Sequence, residues 1–163
     1  MPPRVYIETT IPSYLTSRPS RDIIIAGHQQ ITLTWWETDR QNYELYVSQF
    51  VLDECAGGDA KMAQNRLELL TGIPILEISV EAVLLSKKLI HDGPLPQKAE
   101  TDALHISIAA SNAMDYLLTW NLRHIANPAM ERDIHRLCRD AGFDPPVICT
   151  PEELLGEEYY VEG

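Results

Sequence analysis

The sequence predicts a three-layer α/β fold, in which helices cover both faces of a mostly parallel sheet of about five strands. Short runs rich in β-branched and aromatic residues alternate with longer segments whose apolar residues recur at helical spacing. Parallel strands need crossover connections of about a dozen residues or more, and the helical segments are long enough to supply them. At 163 residues the chain also has the length of one domain, so a single packed core is expected.

Each predicted element has its own signal. The predicted strands are short and β-rich, and they cover residues 4–8, 45–48, 75–78, 115–119 and 147–149. The predicted helical segments carry apolar residues at helical spacing, and they cover residues 20–40, 49–56, 59–70, 79–91, 98–113 and 129–141. Asp59 and Ser79 are the expected N-caps of two of these helices. Trp35 and Trp36 are expected in the core rather than as a stacking platform.

The chain is strongly acidic, with 24 Asp and Glu against 13 Lys and Arg and a net charge of −11. Such a charge repels polyanions at long range and argues against a general nucleic-acid coat. A metal-dependent enzyme stays compatible with it, because bound cations reverse the local field of the carboxylates that hold them. Five of the glutamates lie in the stretch 151–163, which is predicted as a helical turn and a solvated acidic tail after a domain of residues 1–150.

Nothing in the sequence indicates a membrane or secreted protein. No apolar stretch approaches the roughly 18 residues of a membrane span. The N-terminus lacks the basic and apolar regions of a signal peptide, so a cytoplasmic location is expected. Cys55, Cys138 and Cys149 are widely spaced and form no Cys-x-x-Cys pair, which predicts buried thiols rather than disulfides or zinc ligands.

Four polar residues stand at predicted strand exits or near helix starts: Glu8, Glu54, Asp102 and Asn121. Ligands of parallel α/β sheets gather at the carboxyl edge of the strands, so these side chains are expected to converge. Carboxylates about 5 Å apart repel by roughly 3 kcal/mol at an effective dielectric of about 20, so a cation is needed between them. Mg²⁺ and Mn²⁺ prefer oxygen ligands and keep positions open for water and phosphate. Glu8, Glu54 and Asp102 are therefore predicted as metal ligands.

Residues beside these four are candidates for supporting roles. Thr9 and Thr119 are expected to hydrogen-bond the carboxylates, although ordinary turn or strand threonines are an open alternative. His105 is expected to be a packed, hydrogen-bonded core residue, with contact to a substrate phosphate as the open alternative. Arg123 and His124 are candidates for the same contact. Five basic residues predict either a basic patch for the substrate or solvated helix faces: Lys87, Lys88, Arg132, Arg136 and Arg139.

Four segments resemble a PIN domain of the VapC type in their order and spacing: YIETTIPSYL, VLDEC, ETDALHISIAA and DYLLTWNLRHIAN. Together they span nearly the whole chain, and PPVICTPEEL looks like the ending of one VapC-like branch. The resemblance implies a PIN-like sheet flanked by helices and a Mg²⁺- or Mn²⁺-dependent endoribonuclease with RNA as its substrate. It also implies a homodimer and a toxin that a cognate antitoxin neutralises.

In the resulting hypothesis, Glu8, Glu54 and Asp102 hold the metal, and a water attacks the RNA phosphodiester. Asn121 would orient that water or bind the metal through its amide oxygen. Two positions depart from the usual family pattern, because Glu8 stands where an Asp is usual and Asn121 stands where many members have a fourth acid. A neutral Asn121 would hold a second metal less tightly, so chemistry with one metal is an open alternative.

Two other interpretations keep the same architecture. The first is a catalytically degenerate PIN-like module that binds RNA or protein, which the missing charge at Asn121 favours. The second is another enzyme class on this fold, such as a phosphatase with an Asp nucleophile. The phosphatase needs an Asp where Glu8 stands, and the chain contains neither GxGxxG nor GxxxxGK followed by Ser or Thr.

Overall fold

Five parallel strands form one central sheet in the computed structural model, which describes residues 1–159. The strands are β1 (Arg4–Ile7), β2 (Glu44–Ser48), β3 (Ile75–Leu76), β4 (Tyr116–Leu118) and β5 (Val147–Cys149). They lie in the order β3-β2-β1-β4-β5, and every neighbouring pair is parallel. The α-helices of residues 1–159 are α1 (Thr10–Thr16), α2 (Ile23–Thr34), α3 (Gln49–Cys55), α4 (Ala60–Leu69), α5 (Val80–His91), α6 (Glu100–Ser111) and α7 (Pro128–Asp140). The predicted α/β fold with its parallel sheet is confirmed.

The helices form two layers, one on each face of the sheet. From β1 the chain moves outward to β2 and β3, and it then returns past β1 to β4 and β5. Right-handed crossovers therefore place α1 to α4 on one face and α5 to α7 on the other. Contacts of α1 with α2 and α4, and of α5 with α6 and α7, agree with this division. The direction of winding reverses between β1 and β4, which is where such sheets open a crevice for ligands.

The core is built around the central strand β1. Val5, Tyr6 and Ile7 are consecutive and fully buried, and since neighbouring strand residues point to opposite faces, both faces are covered. The predicted core positions Trp35 and Trp36 are buried, and all three cysteines are free and buried as predicted. No helix within residues 1–159 combines the length and the apolar character needed to cross a membrane.

The segment over residues 20–40, predicted as one long or broken helix, is broken in the structure. Asp22 caps α2 by accepting from the backbone N–H groups of Ile24 and Ile25, so the helix begins later than predicted. After α2 the chain makes a π-helical turn at Trp35–Asp39 and a 3₁₀ turn at Arg40–Asn42. The predicted caps Asp59 and Ser79 are confirmed, because each side chain accepts from a backbone N–H in its helix's first turn.

The first part of the predicted helical turn and acidic tail, from residue 151 onward, is anchored to the domain. Leu155 is buried in the core, and the backbone N–H of Gly156 donates to Asp39 Oδ1 at 3.0 Å. Glu152, Glu153 and Glu157 are nevertheless exposed, so their carboxylates are solvated. The backbone between Glu153 and Glu157 is anchored. Glu162 and the rest of residues 160–163 lie outside the described part of the chain.

A test of the packing between α5 and α7 is the substitution Gly93→Ala. A Cβ at Gly93 would lie 2.5 Å from the carbonyl oxygen of Leu89 and 2.7 Å from a methyl carbon of Leu137. Because backbone must shift to relieve the first contact, we expect Gly93→Ala to lower the free energy of unfolding by about 1 to 3 kcal/mol in urea titrations. The control is Gly27→Ala on α2, where a Cβ meets nothing within 4 Å and a gain of about 0.5 to 1 kcal/mol is expected. Equal effects of the two substitutions would contradict this packing.

Candidate functional site

The four residues predicted for the site lie at the carboxyl edge of the sheet. Glu8 follows β1 directly, and Glu54 lies in α3, the helix that follows β2. Asp102 is in the first turn of α6, and Asn121 lies in the turn beyond β4. The site therefore spans the point where the winding of the chain reverses.

Glu8 joins β1 to β4 through its carboxylate. Its Oε1 accepts hydrogen bonds from the hydroxyl groups of Thr10 and Thr119, each at 2.6 Å, and the residue is only 4% exposed. Its Oε2 accepts no hydrogen bond from the described residues and is not fully buried. This second oxygen therefore faces open space.

Glu54 has the same arrangement with different donors. Its Oε1 accepts from the Thr9 hydroxyl and from His105 Nε2, both at 2.6 Å. Its Oε2 has no protein donor within residues 1–159 and is not fully buried. Burial alone would raise the pKa of Glu54. The hydrogen bond and charge of His105, with the hydrogen bond from Thr9, outweigh burial and lower the pKa below its ordinary value. Glu54 therefore remains an anion in weakly acidic solution.

Both oxygens of Asp102 accept hydrogen bonds within the protein. Asn121 Nδ2 donates to Oδ1 at 2.9 Å, and His124 Nδ1 lies 3.0 Å from Oδ2. An ionised carboxylate can only accept, so the histidine nitrogen is the donor. The amide oxygen of Asn121 accepts from the backbone N–H of His124 at 3.0 Å, which fixes the orientation of the amide.

A chain of hydrogen bonds links the three acids. Thr119 donates to Glu8 and accepts from the backbone N–H of Asn121 at 2.9 Å, and Asn121 donates in turn to Asp102. On the other side, Thr9 follows Glu8 in the chain and donates to Glu54. In residues 1–159 no three His, Cys, Asp or Glu side chains are grouped closely enough to hold a metal ion as they stand. Hydrogen bonds connect the three acids at the carboxyl edge of the sheet, but the three carboxylates do not converge on one position.

The donor set nevertheless suits a hard cation. None of the three carboxylates forms an ion pair with Lys or Arg in the described part of the chain, so their charge is offset only by hydrogen-bond donors. Glu8 Oε2 and Glu54 Oε2 are the oxygens that lack a donor, and carboxylate oxygens are what Mg²⁺ and Mn²⁺ prefer. The two glutamates therefore fit such an ion. Asp102 fits it through the lone pair that each of its oxygens keeps beside one hydrogen bond, or by giving up its contact with His124 or Asn121.

Several residues of this network were not assigned to it from the sequence. Thr10 was missed, although it lies two residues after Glu8 in a turn, where a side chain readily reaches back. His105 is buried as expected, but it also binds Glu54, and its spacing of three residues from Asp102 was the available signal. Among the predicted basic patch residues, Arg136 pairs with Asp133 and Asp140 on its own helix, in agreement with a solvated helix face.

No protein-family model and no curated protein matches this sequence. Among solved structures, the chain is similar to one in the crystal structure of VapBC2 from Rickettsia felis bound to a DNA fragment from their promoter. The TM-score is 0.57 at 16% sequence identity, over 90% of this chain and 98% of the other. The likeness is one of fold. It supports the resemblance to a VapC-like PIN domain at that level.

The low pKa of Glu54 predicts a pH dependence of stability. Glu54 takes up a proton near pH 4.5 in the unfolded chain and only at lower pH in the folded protein. Its contribution to stability is therefore present above about pH 4.5 and is lost as the pH falls through the folded pKa. Urea unfolding from about pH 6 to about pH 3 should show a smaller acid loss in Glu54→Gln than in the wild type. The exposed neighbour Asp53, changed to Asn, should leave the wild-type slope unaltered, and identical slopes in all three proteins would refute the assignment.

Proposed function

We propose that this protein is a Mg²⁺- or Mn²⁺-dependent endoribonuclease that hydrolyses RNA phosphodiester bonds at the carboxyl edge of its sheet. The observation that carries the proposal is the shared arrangement of Glu8 and Glu54. Each glutamate has one oxygen fixed by two donors and the other oxygen open, and neither has a Lys or Arg partner within the described residues. This arrangement preserves negative charge and directs it outward.

The proposed metal ligands are Glu8, Glu54 and Asp102. A divalent ion supplies two things when bound: it lowers the pKa of a water and offsets charge on the phosphate. Thr10 and Thr119 hold the Glu8 carboxylate in place, and Thr9 and His105 do the same for Glu54. Such supporting donors typically change metal affinity by about 10- to 100-fold when removed.

Asp102 and Asn121 act together in this proposal. Asp102 would hold the cation together with the two glutamates, through Oδ2 if its bond to His124 opens, while Asn121 would continue to donate to Oδ1. The amide oxygen of Asn121 has a second lone pair beyond the one used by the His124 N–H, and this lone pair would orient the attacking water. His124, once released from Asp102, would donate to a substrate phosphate.

We further propose that the protein is the toxin of a toxin–antitoxin pair, with an antitoxin protein as its partner. The support is the similarity of fold to a chain of VapBC2 together with the sequence resemblance described above. RNA as the substrate and the homodimer come from the same resemblance, and they are part of this proposal together with the cytoplasmic location expected above.

A second candidate is a catalytically degenerate module that binds RNA or protein. One observation favours it, namely that both oxygens of Asp102 are already satisfied by Asn121 and His124. If Asp102 neither opens these bonds nor reaches the cation with its remaining lone pairs, the site has two carboxylates rather than three. Metal affinity and cleavage together distinguish the two candidates.

The direct test is cleavage of a mixed RNA panel by the purified protein with Mn²⁺ and with excess EDTA. We expect cleavage that needs Mn²⁺ and that falls by about 100-fold or more in Glu8→Gln and in Asp102→Asn, because a lost ligand removes several kcal/mol of transition-state stabilisation. Glu100→Gln and Asp53→Asn are matched controls, since these exposed acids lie within two residues of Asp102 and Glu54 and should cleave at the wild-type rate. Cleavage that survives EDTA or Asp102→Asn would reject the metal-dependent site. An absence of both cleavage and Mn²⁺ binding in calorimetry would favour the binding module.

A further inference from the structure

A buried line of hydrogen bonds runs from β2 through β1 and α6 to Glu54. Ser48 Oγ lies 2.8 Å from Tyr6 Oη, and Tyr6 Oη lies 2.8 Å from His105 Nδ1. His105 Nε2 then reaches Glu54 Oε1 at 2.6 Å. Ser48 and Tyr6 are fully buried and His105 is 1% exposed, so water does not compete for these bonds.

The hydrogen-bonding capacity of each group keeps the line complete in both protonation states of His105. Ionised Glu54 only accepts, so His105 Nε2 is a donor in either state. A neutral imidazole accepts at Nδ1 from the Tyr6 hydroxyl, which then accepts from Ser48, and a charged imidazole reverses both bonds. The Ser48 oxygen also accepts from the backbone N–H of Val51 at 3.2 Å, and burial raises the pKa of Tyr6, so its hydroxyl keeps its proton. Every polar atom along the line has a partner.

The same contacts hold the His105 ring in one orientation. Its two nitrogens are bound to Tyr6 and Glu54, and the ring packs between Tyr6, at 5.8 Å between centroids, and Phe50, at 4.9 Å. The donor aimed at Glu54 is therefore fixed by a side chain in the central strand. Rotating the ring away from Glu54 would leave the two buried ring nitrogens of His105 without their partners, which is unfavourable.

We infer that His105 is a positioning residue for Glu54, and that Tyr6 acts through it. Together with Thr9, His105 occupies Oε1 of Glu54, so that Oε2 is the oxygen presented to a divalent cation. This inference rests on the proposed function, because it assigns the line a role only if Glu54 is a metal ligand. A core role alone would require the volume of the His105 and Tyr6 rings and not their hydrogen bonds.

The first test is Tyr6→Phe, which removes one oxygen and keeps the ring. Calorimetric titration with Mn²⁺ should give an affinity about tenfold lower than that of the wild type, since the donor to Glu54 is then no longer held in place. Tyr46→Phe is the matched control. Tyr46 lies opposite Tyr6 in the β1–β2 pair. Its hydroxyl donates to Glu44 at 3.2 Å and not to any of the three proposed metal ligands. This control should bind Mn²⁺ with wild-type affinity.

A second pair of variants separates hydrogen bonding from packing at position 105. Glutamine can place an N–H near the position of the histidine Nε2, whereas leucine fills similar space without a donor. We expect His105→Gln to retain more Mn²⁺ affinity than His105→Leu, even if the leucine variant is the more stable of the two in thermal unfolding. A role in packing alone predicts the opposite ranking or none.

The outcomes distinguish this inference from the proposed function. If the wild type binds no Mn²⁺, the proposed metal site and this inference both fail. If the wild type binds Mn²⁺ and Tyr6→Phe binds it equally well, or the leucine variant matches the glutamine variant, only the inference fails. A tenfold loss in Tyr6→Phe, wild-type affinity in Tyr46→Phe and partial rescue by glutamine establish the positioning role.

Discussion

The pairing of β1 with β4 is the constraint on which the rest of the site depends. These strands are adjacent in the sheet but are separated by more than a hundred residues in the chain, and the Thr119 hydroxyl bonds Glu8 across their carboxyl ends. Glu8 is nearly buried, and a buried carboxylate is unfavourable unless donors satisfy it. Thr10, two residues after Glu8, and Thr119, directly after β4, provide these donors. The position of Thr119 then sets the position of Asn121, and through Asn121 that of Asp102.

The site offsets the repulsion between its acids with hydroxyl, imidazole and amide groups rather than with Lys or Arg. Hydroxyl and amide donors fix the orientation of a carboxylate without cancelling its charge, whereas an ion pair with Lys or Arg would do both. The edge of the sheet therefore keeps an unbalanced negative field at two open oxygens. Such an arrangement is suited to recruiting a cation. In the proposed function that cation, and not the strongly acidic protein surface, would attract the phosphate.

The sequence was sufficient for the architecture because each strand and helix has a local signal. All five strands, the cap residues Asp59 and Ser79, and the burial of the tryptophans follow from patterns within about ten residues. The exceptions also have local causes. Ile23, Ile24 and Ile25 are exposed, so apolar periodicity did not mark the buried face of α2. The anchoring of Leu155 depends on a tertiary contact that the acidic composition of its neighbours concealed. For the site, strand exits identified the four main residues, but the bond from His105 to Glu54 crosses 51 positions and has no local signature.

The distribution of the site along the chain has a consequence during synthesis. Glu8 and Glu54 emerge from the ribosome early, but the threonine and asparagine that complete the network lie at positions 119 and 121. A nascent chain that stops before β4 has no partner for β1 on that side, and its central strand is left as an unpaired edge. Because chains are made at about 5 to 20 residues per second, the amino-terminal half spends several seconds in this incomplete state. The network is incomplete until position 121 has been made, so a translation product that stops before β4 carries Glu8, Glu54 and Asp102 without the threonine and asparagine that join them.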